Sequence, residues 1–133
     1  AKNAIAVDFG TALTFTAVSA AGDMPGVVIA PGINAAADSL AAHTAQLPQV
    51  RLQPPENVLR KNSVQSIQSG LVYGYAGLVD ALIERISKEL GEPISVFATG
   101  GQASIIAPLV KTISEVDSWL TLDGLRIIGD LNG

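Results

Sequence analysis

Two short apolar runs separated by an acid, a glycine and a hydroxyl constrain this chain more than any other stretch. Ala4-Ile5-Ala6-Val7 has the continuous apolar character of a buried strand, and Thr14-Phe15-Thr16-Ala17-Val18 alternates with high β-propensity. The chain therefore turns between them, with Gly10-Thr11 at the tip. Glycine has no Cβ, so it admits tight-turn backbone angles and lets main-chain N–H groups come close to phosphate oxygens, while a threonine hydroxyl adds a donor. Asp8, at the end of the first strand, is placed to hold a cation. The same residues suit a plain hairpin in which Asp8 caps the turn and Gly10 closes it, and this segment alone leaves both readings open.

Two further segments repeat the device. Pro25-Gly26-Val27-Val28-Ile29-Ala30-Pro31-Gly32-Ile33 is patterned as strand, glycine turn and helix start, and Ile94-Ser95-Val96-Phe97-Ala98-Thr99-Gly100-Gly101 as a buried strand ending in a glycine pair. For Thr99-Gly100-Gly101 an ordinary strand-to-helix turn is the alternative to a binding role. Ligands of open α/β sheets gather at the carboxyl ends of strands, so these glycine turns in one small chain point to a single nucleotide site.

The remaining chain supplies the helices. Alanine-rich residues after Pro31-Gly32 predict a helix from about Asn34 to Ala45, and Pro48, Pro54 and Pro55 make Gln46 to Lys61 a loop. Ser63 has the chemistry of an N-cap. Val64, Ile67, Leu71, Tyr75, Leu78, Leu82 and Ile86 then recur at helical spacing, predicting one long amphipathic helix to Leu90 with Gly91 as its stop. Gly70, Gly74 and Gly77 interrupt it, each costing about 1 kcal/mol relative to alanine. They suit either close packing against another backbone or simple tolerance of glycine in a buried helix. A short helix around Ala103 to Val110 should bend or start at Pro108, and a last helix is expected over Leu122 to Leu131.

Composition bounds the function classes. A chain of 133 residues without a low-complexity linker fits one compact domain over residues 1–133. Its 48% hydrophobic content suggests apolar surface covered by another domain or subunit. Eight basic residues against twelve acidic ones, with no basic stripe, argue against nucleic acid as a partner. There is no cysteine, hence no disulfide framework or thiolate metal site, and no apolar run approaches the roughly 18 residues that span a bilayer. His43, the lone histidine, has no evident metal or catalytic companions and is expected on a helix surface. Trp119, Tyr73 and Tyr75 are expected as core or interface anchors, and Glu84-Arg85, Lys88-Glu89 and Glu92 as the solvated face of the long helix.

The order of motifs resembles the C-terminal half of type III pantothenate kinases. The resemblance rests on Asp8-Phe9-Gly10-Thr11-Ala12, Ile29-Ala30-Pro31-Gly32-Ile33, Lys61-Asn62-Ser63 leading into Gln65–Tyr75, Ala98-Thr99-Gly100-Gly101 and Leu120-Thr121-Leu122-Asp123-Gly124-Leu125, and it spans nearly the whole chain. It implies an α/β fold of the ribonuclease-H-like (actin-like ATPase) kind, a mixed sheet flanked by helices, as in the acetate and sugar kinase, actin and heat-shock chaperone superfamily. It also implies a two-domain kinase whose N-terminal domain is absent from this chain. The family's first phosphate loop, Asp-x-Gly-Asn-Thr, and its Gly-x-Asp-Arg segment do not occur here, so the catalytic base is expected on the other half and this chain alone should be inactive.

By the same resemblance, Gly10, Thr11, Thr99, Gly100 and Gly101 bind ATP, Ser63 touches pantothenate, and Asp8 ligates a monovalent cation, usually potassium. ATP with Mg2+ and K+, a homodimer formed partly through the long helix, and a cytoplasmic location follow as expectations. The implied activity is transfer of the ATP γ-phosphate to pantothenate, the first step of coenzyme A synthesis. A non-catalytic nucleotide- or pantothenate-binding relative with a regulatory or accessory role is the alternative. Val27 and Arg60 stand where the family pattern often has glycine. A Cβ at Val27 is expected to restrict backbone approach to a ligand, and Arg60 to clamp an anion or block its entry.

Overall fold

The computed structural model describes residues 2–43, 49–91 and 94–116. Strands β1 (Asn3–Phe9), β2 (Ala12–Val18) and β3 (Gly26–Pro31) are followed by helix α1 (Ile33–His43) and the long helix α2 (Ser63–Leu90). Then come β4 (Ile94–Thr99), the single turn α3 (Ala103–Ile106), which tightens into a 3-10 turn over Ala107–Leu109, and the two-residue β5 (Glu115–Val116). Pro108 sits in that 3-10 turn, where its missing N–H costs nothing. Within the described residues the expected elements are present, and β5 is added to them. The helix expected over Leu122 to Leu131, Trp119, Glu92 and the Leu120–Leu125 motif lie outside the described residues. Among the described residues no helix is long and apolar enough to cross a membrane.

The sheet is mixed, in the order β3-β2-β1-β4-β5. β1 pairs antiparallel with β2 and β2 with β3, while β1–β4 and β4–β5 are parallel. Two reversals turn β3 to run the same way as β1, and β4 runs that way too. The carboxyl ends of β1, β3 and β4 therefore lie along one edge of the sheet.

Strand alternation sorts the core onto two faces. Ile5, Val7 and Phe9 join Leu13, Phe15, Val96 and Ala98 in the main core, while Ala4, Ala6, Val18 and Phe97 form a second buried cluster. The pairings Val7 with Phe15 and Phe9 with Leu13 fix that sorting, since a one-residue slip would exchange the faces. Helix α2 covers the main-core face through Ile67, Leu71, Val72, Ala76, Val79, Ile83 and Ile86. The buried stripe is rotated from the sequence periodicity: Tyr75, Leu78 and Leu82 lie half-buried at its margin and Val64 is exposed. The stripe runs through the smaller Val72, Ala76 and Val79, all buried, which a count of large apolar residues cannot anticipate.

Both ends of α2 are chemically stopped. Its N-cap is Asn62, one residue earlier than expected: the Asn62 side chain accepts from the Gln65 N–H at 2.8 Å, and Ser63 is the first helical residue. Gly91 closes the helix at φ 89°, with its N–H donating to the Ser87 carbonyl. Gly70, Gly74 and Gly77 are exposed, and a Cβ at any of them would meet nothing within 4 Å, so the close packing they suggested is not made within the described residues.

A helix of 28 residues spans about 42 Å, whereas the seven-residue β1 spans about 23 Å, so α2 overhangs the sheet. The Asn3 side-chain amide donates to the Leu90 and Gly91 carbonyls at 3.1 and 2.8 Å, which pins the C-terminal end of α2 beside the start of β1. The overhang is thus the N-terminal half, and it projects past the carboxyl ends of the strands. The proline-containing loop after α1 lies along it. There Gln68 donates to the Arg51 carbonyl, Ser69 to the Val58 carbonyl and Tyr73 to the Pro55 carbonyl. Gln68 and Ser69 are buried polar residues, and these bonds are their reason.

Asp80 performs the equivalent task at the other crossover. Its carboxylate accepts from the Lys111 and Thr112 N–H groups, both at 3.1 Å at their shortest, and from the Thr112 hydroxyl at 2.7 Å, tying α2 to the segment that enters β5. Charge-assisted bonds of this kind are worth about 1.5–3 kcal/mol. Asp80→Ala is therefore expected to lower unfolding stability by about 2 kcal/mol in denaturant titration. A loss within a few tenths of that of an exposed Glu84→Ala control would show that the tie contributes nothing.

Candidate functional site

The glycine turns converge. Asp8 lies at the end of β1, paired with Thr14 on one side and Thr99 on the other, so the Gly10-Thr11 turn and the Thr99-Gly100-Gly101 turn are neighbours across the sheet. Gly100 has φ 98°, and a Cβ on it would fall 2.6 Å from the Phe9 carbonyl carbon and oxygen and 2.7 Å from Asp8 Oδ1. Only glycine meets both demands. On the other side, a Cβ at Gly32 would fall 2.1 Å from the Thr11 carbonyl oxygen and 2.9 Å from that of Gly10. The turns after β1, β3 and β4 thus close on one another around Phe9–Thr11. Gln102 N–H, reaching the Phe9 carbonyl at 3.4 Å, and Ala103 N–H, donating to Gly100 O at 3.2 Å, carry the third turn into α3.

Exposure within this cluster differs by residue. Asp8, Gly10, Thr11 and Gly101 are exposed, Gly100 is half-buried and Thr99 is 7% exposed. Among the described residues the Asp8 carboxylate has no hydrogen bond or ion pair, so it caps no turn there. Exposed backbone at a glycine turn, a neighbouring hydroxyl and an unpaired carboxylate together can receive an anion and a counter-cation side by side. Among the described residues no group of three histidine, cysteine, aspartate or glutamate side chains is gathered as for a divalent metal. The donor set fits a phosphate group with a weakly held cation better than a closed metal centre.

Ser63 lies elsewhere. It lines a cleft of about 520 Å³ between α1 and the start of α2, together with Leu40, Lys61, Asn62, Ile67 and Leu71. Along the helix Ser63 is about 18 Å from Tyr75, which touches the Pro31-Gly32 turn, so this chain does not by itself bring Ser63 to the glycine turns. Arg60 borders the same helix start. Its Nε and Nη2 donate to Gln65 Oε1 at 3.0 and 2.9 Å, and Asn62 Nδ2 donates to the same oxygen at 3.2 Å. The guanidinium is thus held by a neutral partner, fixed against the cap, with no acidic partner among the described residues. Val27 pairs with Thr16 while Pro31 pairs with Ala12, so Val27 sits at the far end of β3 and does not crowd the glycine turns as expected.

One contributor was not anticipated. The Tyr75 hydroxyl, on α2, donates to the Pro31 carbonyl at 2.9 Å and lies 3.5 Å from that of Gly32. Burial raises its pKa above the ordinary tyrosine value, so it remains a donor throughout the neutral range. Its place at the margin of the apolar stripe was the one available signal, and it read as packing. Glu84, Arg85, Lys88 and Glu89 are exposed as expected, and His43 ends α1.

Several known proteins are similar to this chain. The family model described as type III pantothenate kinase matches residues 1–85. The type III pantothenate kinase of Anaeromyxobacter sp. strain Fw109-5 is 55% identical over 128 residues, covering 96% of this chain and 50% of that protein. That of Myxococcus xanthus is 50% identical over 124 residues, covering 93% of this chain and 48% of that protein. The chain spans about half the length of the curated relatives it matches. In fold alone it is similar to the crystal structure of a Campylobacter jejuni protein described as a conserved Baf-family transcriptional activator, with a TM-score of 0.63 at 20% identity over 98% of this chain and 59% of the other. The family match across residues 1–85 and the half-identical relatives carry the conclusion that this chain belongs to the type III pantothenate kinase family.

Proposed function

We propose that this chain is the C-terminal, ribonuclease-H-like half of a two-domain kinase that transfers the ATP γ-phosphate to pantothenate. The observation that carries the reading is the convergence of the turns at Gly10-Thr11, Gly32 and Gly100 beside the Asp8 carboxylate, unpaired among the described residues. Phosphoryl transfer asks little covalent chemistry of the protein and much charge stabilisation and alignment. The amides around Gly10 and the Thr11 hydroxyl would cradle the phosphates, and Thr99, Gly100 and Gly101 would line the adenosine side. A potassium ion beside Asp8 and a magnesium ion carried with the nucleotide would offset negative charge where the phosphates gather. Strand order β3-β2-β1-β4-β5, three antiparallel strands followed by two parallel ones, supports the ribonuclease-H-like assignment.

Ser63 and the first-turn amides of α2 would receive the pantothenate carboxylate, with Lys61 and the fixed Arg60 guanidinium adding positive charge. Because that cleft is remote from the glycine turns, the two subsites would meet only through another part of the assembly. The open face at Gly70, Gly74 and Gly77 suits a helix of a second copy in a homodimer. The general base would come from the N-terminal half, in the cytoplasm where the family's reaction runs.

The deciding experiment is ATP- and potassium-dependent phosphorylation of pantothenate by the full-length protein, or by this chain mixed with a separately expressed N-terminal half. Product is expected, with none from this chain alone. Nucleotide binding without product would instead favour the regulatory relative. In the active protein, Asp8→Asn should abolish potassium stimulation without loss of fold by circular dichroism, and an unchanged potassium response would remove the cation from Asp8.

Gly100→Ala should weaken ATP binding at least tenfold in calorimetry, since its Cβ cannot be accommodated against Phe9. Wild-type affinity in that variant would exclude the turn from the nucleotide site. A Cβ at Gly74 meets nothing within 4 Å among the described residues, so Gly74→Leu should halve the native mass, whereas an unaltered mass would place the interface elsewhere.

A further inference from the structure

We propose that Tyr75 is a positioning residue for the nucleotide turn, acting through the backbone of Pro31 and Gly32; this rests on the kinase reading above. The Tyr75 hydroxyl donates to the Pro31 carbonyl at 2.9 Å across a sequence separation of 44 residues. Gly32, the next residue, is buried and pressed against Thr11 so tightly that a Cβ would stand 2.1 Å from the Thr11 carbonyl oxygen and 2.8 Å from its carbon. A displacement of the Pro31-Gly32 turn is therefore passed directly to Gly10-Thr11, because packed backbone has no slack to absorb it.

Among the described residues the Pro31-Gly32 segment is also restrained by the pairing of Pro31 with Ala12 and by the Ala36 N–H donating to Gly32 O at 3.1 Å. Both belong to the elements that flank the turn. Tyr75 is the tie to α2, the same helix whose first turn carries Ser63 and the Arg60–Gln65 clasp. The hydroxyl thereby sets the glycine turns in register with that helix, and its loss should act on nucleotide alignment while the flanking elements keep the fold. Tyr73 provides a matched control: it also lies on α2 and also donates to a proline carbonyl, but that of Pro55 in the loop along the helix overhang.

The test compares Tyr75→Phe with Tyr73→Phe in the full-length protein, reading KM for ATP, KM for pantothenate, kcat and thermal midpoint. Tyr75→Phe should raise KM for ATP about three- to tenfold, the range that loss of one hydrogen bond allows, with KM for pantothenate within twofold of wild type. Tyr73→Phe should lower the thermal midpoint similarly and leave KM for ATP unchanged. An equal rise in KM for ATP in the two variants, or a lowered midpoint in Tyr75→Phe with no change in KM for ATP, would make Tyr75 merely structural. A wild-type protein that binds no ATP would overturn the kinase reading and this role together, whereas a wild-type protein that binds ATP as well as the Tyr75→Phe variant does overturns this role alone.

Discussion

The close approach of backbone to backbone at the end of β1 is the constraint on which the rest of this structure depends. Phe9, Gly10 and Thr11 are touched from one side by Gly100 and from the other by Gly32, at separations that leave no room for a single methyl group. Such contact needs β1, β3 and β4 to run in one direction and to end at one level, which in turn needs the antiparallel reversals of β2 and β3 and a long crossover back to β4. Glycine at these positions costs conformational entropy when the chain folds. What offsets that cost is the apolar burial beneath, with Phe15, Ile5, Leu13 and Val7 essentially free of solvent.

Helix α2 is the second organising element because it is longer than the sheet it covers. Buried residues from Ile67 to Ile86 close the core along most of its length, while its N-terminal half also carries a loop by side-chain to main-chain hydrogen bonds from Gln68, Ser69 and Tyr73. Those bonds satisfy buried polar groups and convert an otherwise loose proline-rich segment into a platform that delivers Arg60, Lys61 and Asn62 to the helix start. The division of labour follows: glycine turns at the sheet edge, a charged and hydroxyl-bearing cleft at the tip of the overhang, and one tyrosine between. The two regions stand apart within this chain, which spans about half the length of the curated relatives it matches.

Much of this was legible in the sequence. The glycines at 10, 32 and 100 stand after apolar β-rich runs, and glycine after a strand has few reasons to exist except a tight turn or a close approach. The ends of α2 were marked by small polar residues and by Gly91, although the cap is Asn62, whose side-chain oxygen accepts from the Gln65 N–H, with Ser63 already inside the helix. Val27 was misplaced for a different reason: adjacency in sequence to the Pro31-Gly32 turn says nothing about which end of a six-residue strand a side chain occupies.

The sequence by itself determined the element types, the turn positions and the family, because these depend on local periodicity, on backbone permissiveness at single glycines and on motif order. Tertiary structure alone decided that three turns distant in sequence meet at Phe9–Thr11, that Asp8 is left unpaired among the described residues, that Ser63 stands apart, and that the Tyr75 hydroxyl faces the Pro31 carbonyl. Those outcomes depend on strand direction, helix overhang and the rotation of α2 about its axis. Each is fixed by packing between residues far apart in the chain, where no local pattern carries the information.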